Sequence, residues 1–427
     1  MKRTAKKPPA GVKKFLKALG PGLVTGASDD DPSGIVTYSQ AGARFGLATL
    51  WTALLTFPLM AAMQGMAARI GLVTCKGLCG TLKTYYPRWV LYSMILFSFP
   101  AVIMNIGADI QSMGAVANLL FPGIPAFAFS IFFTGLLMYI IIQYSYQRMA
   151  ALLKWLCLGL LLYLVVPFLA HPDWAAVARA TFVPVVHLDK DFMSIIVAIL
   201  GTTISPYLFF WQATMEAEDQ QHNKSPRKRS TAIFVNKRVL SNMRSDVNSG
   251  MFFSNLVMFF VILTAGTVLF NAGVKNIDTV EQAAKALKPL AGGLSYSLFA
   301  IGVIGTGFLA IPVLAGCLSY ILGETFNFQM GLDKKFNQAR PFYGVVIVSL
   351  LAGLCMQLFG LSPVKALLYT AILYGVTSPV MVAVILHIGN NKTIMGENTN
   401  SRFSNILGFL TLILMTAAAV ALIWFQF

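Results

Sequence analysis

Charge is what this chain has least of. Only 16 acidic and 32 basic residues are spread over 427 positions, a charged fraction of 11%, whereas a soluble domain carries about 25%. A chain with so little polar surface cannot cover itself for water, which excludes a soluble enzyme and a soluble binding module. No polar stretch is long enough to fold as a domain of its own. Histidine is scarce as well: His171, His187, His222 and His387 all fall in loops or at the end of an apolar run. With no imidazole at mid-depth, a histidine-based transition-metal site or proton relay is disfavoured. The five cysteines (Cys75, Cys79, Cys157, Cys317, Cys355) are odd in number and build no disulfide framework. Cys75 and Cys79 lie in a basic loop, where a metal role is the weaker alternative. No nucleophile–base constellation speaks for a membrane enzyme, no cofactor is implied, and the scattered methionines read as packing.

What remains is apolar. The hydrophobic fraction is 57% and the mean hydropathy +0.71. Runs of about 20 residues, each enough to cross a hydrocarbon core about 30 Å thick, recur along the whole chain. The expected fold is an all-α polytopic membrane protein with 11 spans, near 19–43, 47–70, 90–120, 124–143, 150–170, 191–216, 246–271, 291–323, 341–360, 363–387 and 403–427. Residues 1–18 form a basic N-terminal stretch with no signal-cleavage pattern after it.

A net charge of +16 would point to nucleic acid in a soluble protein; here it sorts by side of the membrane. With the N-terminus in the cytoplasm, 25 of the 32 basic residues fall on the inner side, as the positive-inside rule requires. An odd number of spans then puts the C-terminus outside. The basic stretch Lys224–Ser230 reads as part of this orientation signal, with lipid binding the lesser alternative.

Two spans break the rules of the bilayer. The first contains Ala27-Ser-Asp29-Asp30-Asp31-Pro32-Ser33-Gly34, three carboxylates and a helix breaker near mid-depth. Each charge there costs at least about 2.5–3.5 kcal/mol, so the cluster should face a cavity or a cation. Pro32 removes an amide donor, and the carbonyls it frees near 28–31, beside carboxylates, form an all-oxygen setting for a hard cation. The sixth span carries the counterpart, Gly201-Thr202-Thr203-Ile204-Ser205-Pro206-Tyr207. Interrupted helices at matching positions in two five-span halves, about 19–170 and 191–387, point to an inverted-repeat transporter with its site at the midplane; the run at 403–427 is then an additional helix. Asp109 is the other acid deep in a span, either a pathway residue or a locally bonded packing residue. Glu216, Glu218 and Asp219 form either a vestibule or a solvated helix end.

Gly20-Pro-Gly-Leu, Asp31-Pro32, Ser39-Gln-Ala-Gly-Ala-Arg-Phe-Gly46, Ala67-Ala-Arg-Ile-Gly71 and Gly302-Val-Ile-Gly-Thr-Gly-Phe-Leu-Ala-Ile-Pro-Val313 resemble the Nramp family of divalent-metal transporters. The resemblance implies two inverted five-helix repeats plus an eleventh span, and metal uptake across a cell membrane. The departures from the family pattern are informative. Where the family has Asp-Pro-Gly-Asn, this chain has Asp31-Pro32-Ser33-Gly34, without the Asn side chain. Where the family has Ala-x-x-Met-Pro-His, it has Thr202-Thr203-Ile204-Ser205-Pro206-Tyr207. The thioether that favours soft ions is gone, and an all-oxygen site widened at Gly34 suits an ion that keeps its waters, such as Mg²⁺. The pattern is most like the Nramp-related magnesium transporter branch. By this resemblance Asp31 anchors the ion, the Thr202 carbonyl and Ser205 hydroxyl are ligands directly or through water, Gly34 gives space, and Asp30 and Thr377 stand behind them.

The family's proton relay is mostly missing: the third-span acidic pair falls on Ile106 and Asp109, the sixth-span His on Tyr207, and span nine (Phe342–Gly360) is uncharged. Transport without proton coupling is therefore expected, driven by the membrane potential at about 4.6 kcal/mol per 100 mV for a divalent ion. The alternatives are proton-coupled Mn²⁺ or Fe²⁺ symport and, from another class, sodium-coupled symport of an organic solute. The expected partners are the divalent ion and the lipid of the plasma membrane; the sequence does not set an oligomeric state, and a monomer suffices.

Overall fold

The computed structural model describes residues 21–144, 162–222, 235–288, 292 and 295–425. The basic N-terminus, most of the fifth expected span and the stretch Lys224–Ser230 lie outside the described residues. All regular structure among the described residues is helical. In chain order the helices are α1 (Pro21–Asp29), α2 (Pro32–Phe45), α3 (Trp51–Thr74), α4 (Leu78–Tyr85), α5 (Arg88–Leu120), α6 (Ala126–Gln143), α7 (Leu162–Ala170), α8 (Trp174–Phe182), α9 (Lys190–Thr203), α10 (Pro206–His222), α11 (Lys237–Val268), α12 (Val280–Ala284), α13 (Ser295–Phe326), α14 (Arg340–Cys355), α15 (Pro363–Asn390), α16 (Lys392–Met395) and α17 (Arg402–Trp424). Among the described residues, nine stretches are long and apolar enough to cross a membrane, with α9 and α10 counted as one. At 33 and 32 residues, α5 and α13 extend for about 50 Å, well beyond a hydrocarbon core. The apolar pattern did not reveal α4 and α8, which are short helices in connecting segments.

The two broken spans fall where the sequence places them, but the prolines act differently from expectation. Pro32 is the first residue of α2 and Pro206 the first of α10. At that position the missing amide is an orphan anyway and the fixed φ suits a helix start. The breaks themselves are Asp30–Asp31 and Ile204–Ser205, and each proline starts the half-helix that follows.

Glycine lets these half-helices pack closely. A methyl group at Gly26 would overlap the Gly250 carbonyl of α11, and one at Gly201 would overlap the Ala371 carbonyl of α15. The small-residue contact brings backbones together where lipid offers no hydrophobic drive. Thus α11 lies along both halves of the first broken span, and α15 lies along α9. Helix α5 packs on both α13 and α15, which brings its middle turn to the place where the breaks meet.

Candidate metal centre

Asp31 is the N-cap of α2, in extended geometry (φ −73°, ψ 172°). Its Oδ1 accepts from the Gly34 amide at 2.8 Å, a charge-assisted cap on the positive end of a helix. Its Oδ2 accepts from Asn105 Nδ2 of α5 at 2.8 Å. Asp29 and Asp30 turn the other way, toward α11: Ser254 Oγ donates to Asp29 Oδ2 at 2.8 Å and approaches Asp30 Oδ1 at 3.3 Å. One hydroxyl has one proton, so the two carboxylates share a single donor.

The second break lies against the first. Ser33 Oγ and Thr202 Oγ1 are 3.5 Å apart, and the Tyr38 and Thr203 hydroxyls are 3.0 Å apart. Ser205 Oγ donates to the Thr202 carbonyl at 2.6 Å and to the Gly201 carbonyl at 3.1 Å, so its proton is turned back on its own helix while its lone pairs remain acceptors. Tyr207 Oη donates to the Ser28 carbonyl at 3.2 Å, and Ser378 Oγ of α15 donates to the Ile204 carbonyl at 3.1 Å. Several carbonyls released by the breaks are therefore already bonded to hydroxyls, each with a second lone pair to spare.

The structure thus brings together Asp31, Gly34, Thr202 and Ser205. Asp30 faces α11 instead, and the Thr377 hydroxyl donates to the Leu373 and Tyr374 carbonyls of its own helix; its neighbour Ser378 is the residue that reaches the break. The space expected at Gly34 is not there. A methyl group at Gly34 would sit 3.3 Å from the Asp29 carbonyl, 3.3 Å from the Tyr38 ring and 3.5 Å from Thr202 Oγ1. Tyr38, one turn along α2, fills the room that the missing Asn side chain would leave.

Asp31 is 3% exposed and Asp109 0%. Neither oxygen of Asp109 has a hydrogen-bond partner, which decides against a locally bonded packing residue. Asn105 Oδ1 and Asp29 Oδ1 are also buried without partners. A buried acceptor left unpaired costs about 1–3 kcal/mol, more when charged. Among the described residues no Lys or Arg forms an ion pair with Asp29, Asp30, Asp31 or Asp109; the ion pairs are Arg44–Asp191 at 2.9 Å and Lys285–Glu281 at 3.7 Å. The centre is rich in acceptors and poor in positive charge, the electrostatic profile of a cation site. Sulfur stands one step back, with Met258 Sδ 3.7 Å from Thr203 Oγ1 and Cys317 Sγ donating to the Tyr207 carbonyl at 3.3 Å.

A cavity of about 860 Å³ lies at one end of the bundle, lined in part by Lys76, Gly77, Thr214, Glu218, Glu324 and Lys334. Glu324, at the end of α13, accepts from the Gly77 and Gly80 amides at 2.8 and 2.7 Å, holding the start of α4. Of the acids at the end of α10, Glu216 is buried and accepts from Gln212 at 3.0 Å, and Glu218 accepts from the Tyr320 hydroxyl at 3.1 Å. A simply solvated helix end does not describe these two, whereas Asp219 is exposed. Cys79 is buried beside Glu324, and burial, with Glu324 and Cys317 adding to it, pushes its thiol well above the ordinary value. A thiol held protonated is a poor metal ligand.

The sequence matches the family described as natural resistance-associated macrophage protein-like, Nramp, over residues 22–425. The chain belongs to the Nramp family. It is similar to the divalent metal cation transporter MntH of Caldanaerobacter subterraneus subsp. tengcongensis, at 25% identity over 93% of this chain and 90% of the relative. It is similar also to the MntH of Yersinia pestis, at 23% over 96% and 95%. Among solved structures, the Eremococcus coleocola manganese transporter superposes with a TM-score of 0.76 at 18% identity, covering 98% of this chain and 88% of that one. Mhp1, a nucleobase-cation-symport-1 family transporter, superposes at 0.57 with 12% identity over 95% and 92%. At these identities the structural likenesses speak for the fold alone. The Nramp chain is a multi-pass membrane protein of that transporter fold.

Proposed function

We propose that this Nramp protein carries divalent cations across the plasma membrane by alternating access, with Mg²⁺ preferred, Mn²⁺ accepted and no proton coupling. The observation that carries the proposal is the meeting of the two breaks at Asp31, a buried carboxylate without an ionic partner among the described residues. The proposed architecture is eleven spans in two inverted five-helix repeats plus a last helix, with the N-terminus cytoplasmic and the C-terminus outside. Its relatives are described as divalent metal cation and manganese transporters, which supports the ion's charge and size class.

The preference for Mg²⁺ rests on donor chemistry rather than on space. Around Asp31 stand hydroxyl, carbonyl, carboxamide and carboxylate oxygens, a hard donor set without the thioether that distinguishes Mn²⁺ from Mg²⁺. The ion binds between the half-helices while one group of helices rocks against the other. The half-helix α1 is tied by the Gly22 amide to Asp246 of α11 at 2.7 Å, by Thr25 to Gln212 of α10 and by the Ser28 carbonyl to Tyr207. These polar ties exchange readily for water when the site opens on that side.

Proton-coupled Mn²⁺ symport is favoured by one observation, the unpartnered carboxyl of Asp109 in the register of the family's third-span acids. Purified protein in proteoliposomes with an internal pH dye separates the two. Under the proposed mechanism, Mg²⁺ and Mn²⁺ enter under an inside-negative potential without acidification. Entry of Mn²⁺ but not Mg²⁺, accompanied by acidification that Asp109→Asn abolishes, would establish the symporter instead.

A further inference from the structure

We propose that Asn105 is a direct oxygen ligand and a selectivity-determining residue of the cation site, supplying from α5 the carboxamide that the first broken span lacks at Gly34. This rests on the cation-site reading of Asp31. Asn105 is fully buried, near the middle of a predominantly apolar helix. A buried carboxamide offers two donor hydrogens and an acceptor oxygen with two lone pairs; here Nδ2 bonds Asp31 Oδ2 at 2.8 Å, and Oδ1 has no partner. The orientation follows from chemistry: an ionised carboxylate only accepts, so the amide nitrogen must face Asp31 and the oxygen must face away from it. That places an unsatisfied oxygen one carboxamide's width from the anchoring carboxylate.

Asn105 has company. Asp109 lies four residues on, the spacing that puts two side chains on one helix face, and both of its oxygens are buried without partners. The same face of α5 therefore presents three acceptor atoms and a donor already committed to Asp31. A cation or its coordinated waters satisfies acceptors of this kind; a packing role for Asn105 would need a donor opposite Oδ1, and among the described residues there is none. The first span could not easily hold the amide itself, because side-chain atoms on residue 34 would press on the Asp29 carbonyl and the Tyr38 ring at 3.3 Å.

The test uses full-length protein in proteoliposomes, with MgCl₂ and MnCl₂ as probes, reading KM and Vmax for uptake and, in detergent, the metal-induced shift in Tm. Asn105→Leu keeps the shape and removes both the oxygen and the amide donor to Asp31. It should raise KM for Mg²⁺ at least tenfold with a smaller effect on Vmax, and abolish the Mg²⁺-induced Tm shift, while the metal-free Tm drops by only the few degrees that loss of one hydrogen bond to Asp31 entails. Asn105→Asp keeps an oxygen while giving up, as Asn105→Leu does, the amide donor to Asp31; the bound dication offsets the repulsion between the two carboxylates, so KM should stay within about threefold. Asn105→Met puts a thioether there and should lower the Mg²⁺-to-Mn²⁺ uptake ratio at least tenfold, since soft sulfur helps only Mn²⁺. Should Asn105→Leu fail to fold, Asn105→Asp and Asn105→Met decide on their own. Loss of metal binding in Asn105→Asp equal to that in Asn105→Leu would reduce Asn105 to a prop for Asp31 and overturn the proposal. So would an unchanged Mg²⁺-to-Mn²⁺ ratio in Asn105→Met. An unaltered KM in Asn105→Leu beside abolished uptake in Asp31→Asn would sink the role of Asn105 and leave the site standing. Unaltered uptake in Asp31→Asn would sink the site itself.

Discussion

Asp31→Asn removes one charge and almost nothing else. Asn is as good an N-cap as Asp, so its Oδ1 can still accept from the Gly34 amide, now 2.8 Å from Asp31. On the other side, Asn105 can rotate its carboxamide by half a turn and offer Oδ1 to the new amide, which keeps the 2.8 Å contact with its polarity reversed. Fold and cap should survive, and metal-free Tm should stay near wild type. The electrostatic loss is large. Two unit charges 4 Å apart at an effective dielectric of about 20 attract by about 4 kcal/mol, and a divalent ion doubles this to about 8. Much of that is offset by the water the ion gives up. If three quarters is offset, about 2 kcal/mol remains, which is about thirtyfold in affinity. Uptake of Mg²⁺ and of Mn²⁺ should both fall by about that factor at sub-saturating metal, because the lost term is charge and not ligand softness. The assay is initial-rate flux in proteoliposomes under a fixed potential, with Tm measured on the same preparation. Flux of both ions within twofold of wild type at unchanged Tm would refute the placement of the ion at Asp31.

Gly34→Ala tests whether the closed site has slack: with contacts of 3.3 Å already waiting for the methyl, the variant should fold but lose several-fold in Vmax, and Gly34→Asn should lose more. Undiminished transport by Gly34→Asn would show that Tyr38 yields and that the room expected there exists after all. Glu324→Ala deletes two amide bonds to a carboxylate, 2.8 and 2.7 Å long, each worth about 1.5–3 kcal/mol; cavity water replaces part of this, so a drop of several degrees in Tm is expected, checked by thermal denaturation in detergent, with Glu324→Gln falling between. Cys79, whose thiol burial keeps protonated, should resist maleimide at pH 7.5 while Cys75, half-buried and lining the cavity, reacts, as peptide mass spectrometry of the labelled protein would show. Equal labelling of the two would mean that the start of α4 opens readily.

The breaks were legible because they are expensive. Three acids beside Pro-Ser-Gly in an apolar run have no cheap explanation, and the second Pro at Pro206 sits in the matching place. Their partners were not legible, because they arrive from far along the chain: Asn105 is 74 positions from Asp31, Ser254 is 225 from Asp29, and Ser378 is 174 from Ile204. One local signal was available, the Asn105–Asp109 spacing that sets two polar side chains on one face of an apolar helix. The tightness at Gly34 has a physical cause as well. Deleting a side chain makes room only if nothing nearby expands into it, and the Tyr38 ring one turn away is large enough to do so. Likewise, a proline in a hydrophobic run reads as a breaker, yet at the first position of a half-helix it is a starter, and only the backbone shows which.

The same geometry explains how a site buried this deeply can open. The half-helix α1 has nine residues, too few to be stable alone, and besides its close packing on α11 through Gly22 and Gly26 it is held by Asp246, Gln212 and Tyr207. Two neutral hydrogen bonds at about 0.5–1.5 kcal/mol each and one to a carboxylate at about 1.5–3 sum to about 2.5–6 kcal/mol. That is the scale on which a minor conformer is populated at the per-cent level or below. Tyr207→Phe removes one of these ties without touching Asp31, so it should raise the water accessibility of the first break, read as faster labelling of a cysteine placed at Ser28 in a background lacking the native thiols. If labelling is no faster than in the parent, α1 is held by its contact with α11 through Gly22 and Gly26, and the whole broken span, rather than its first half, must move.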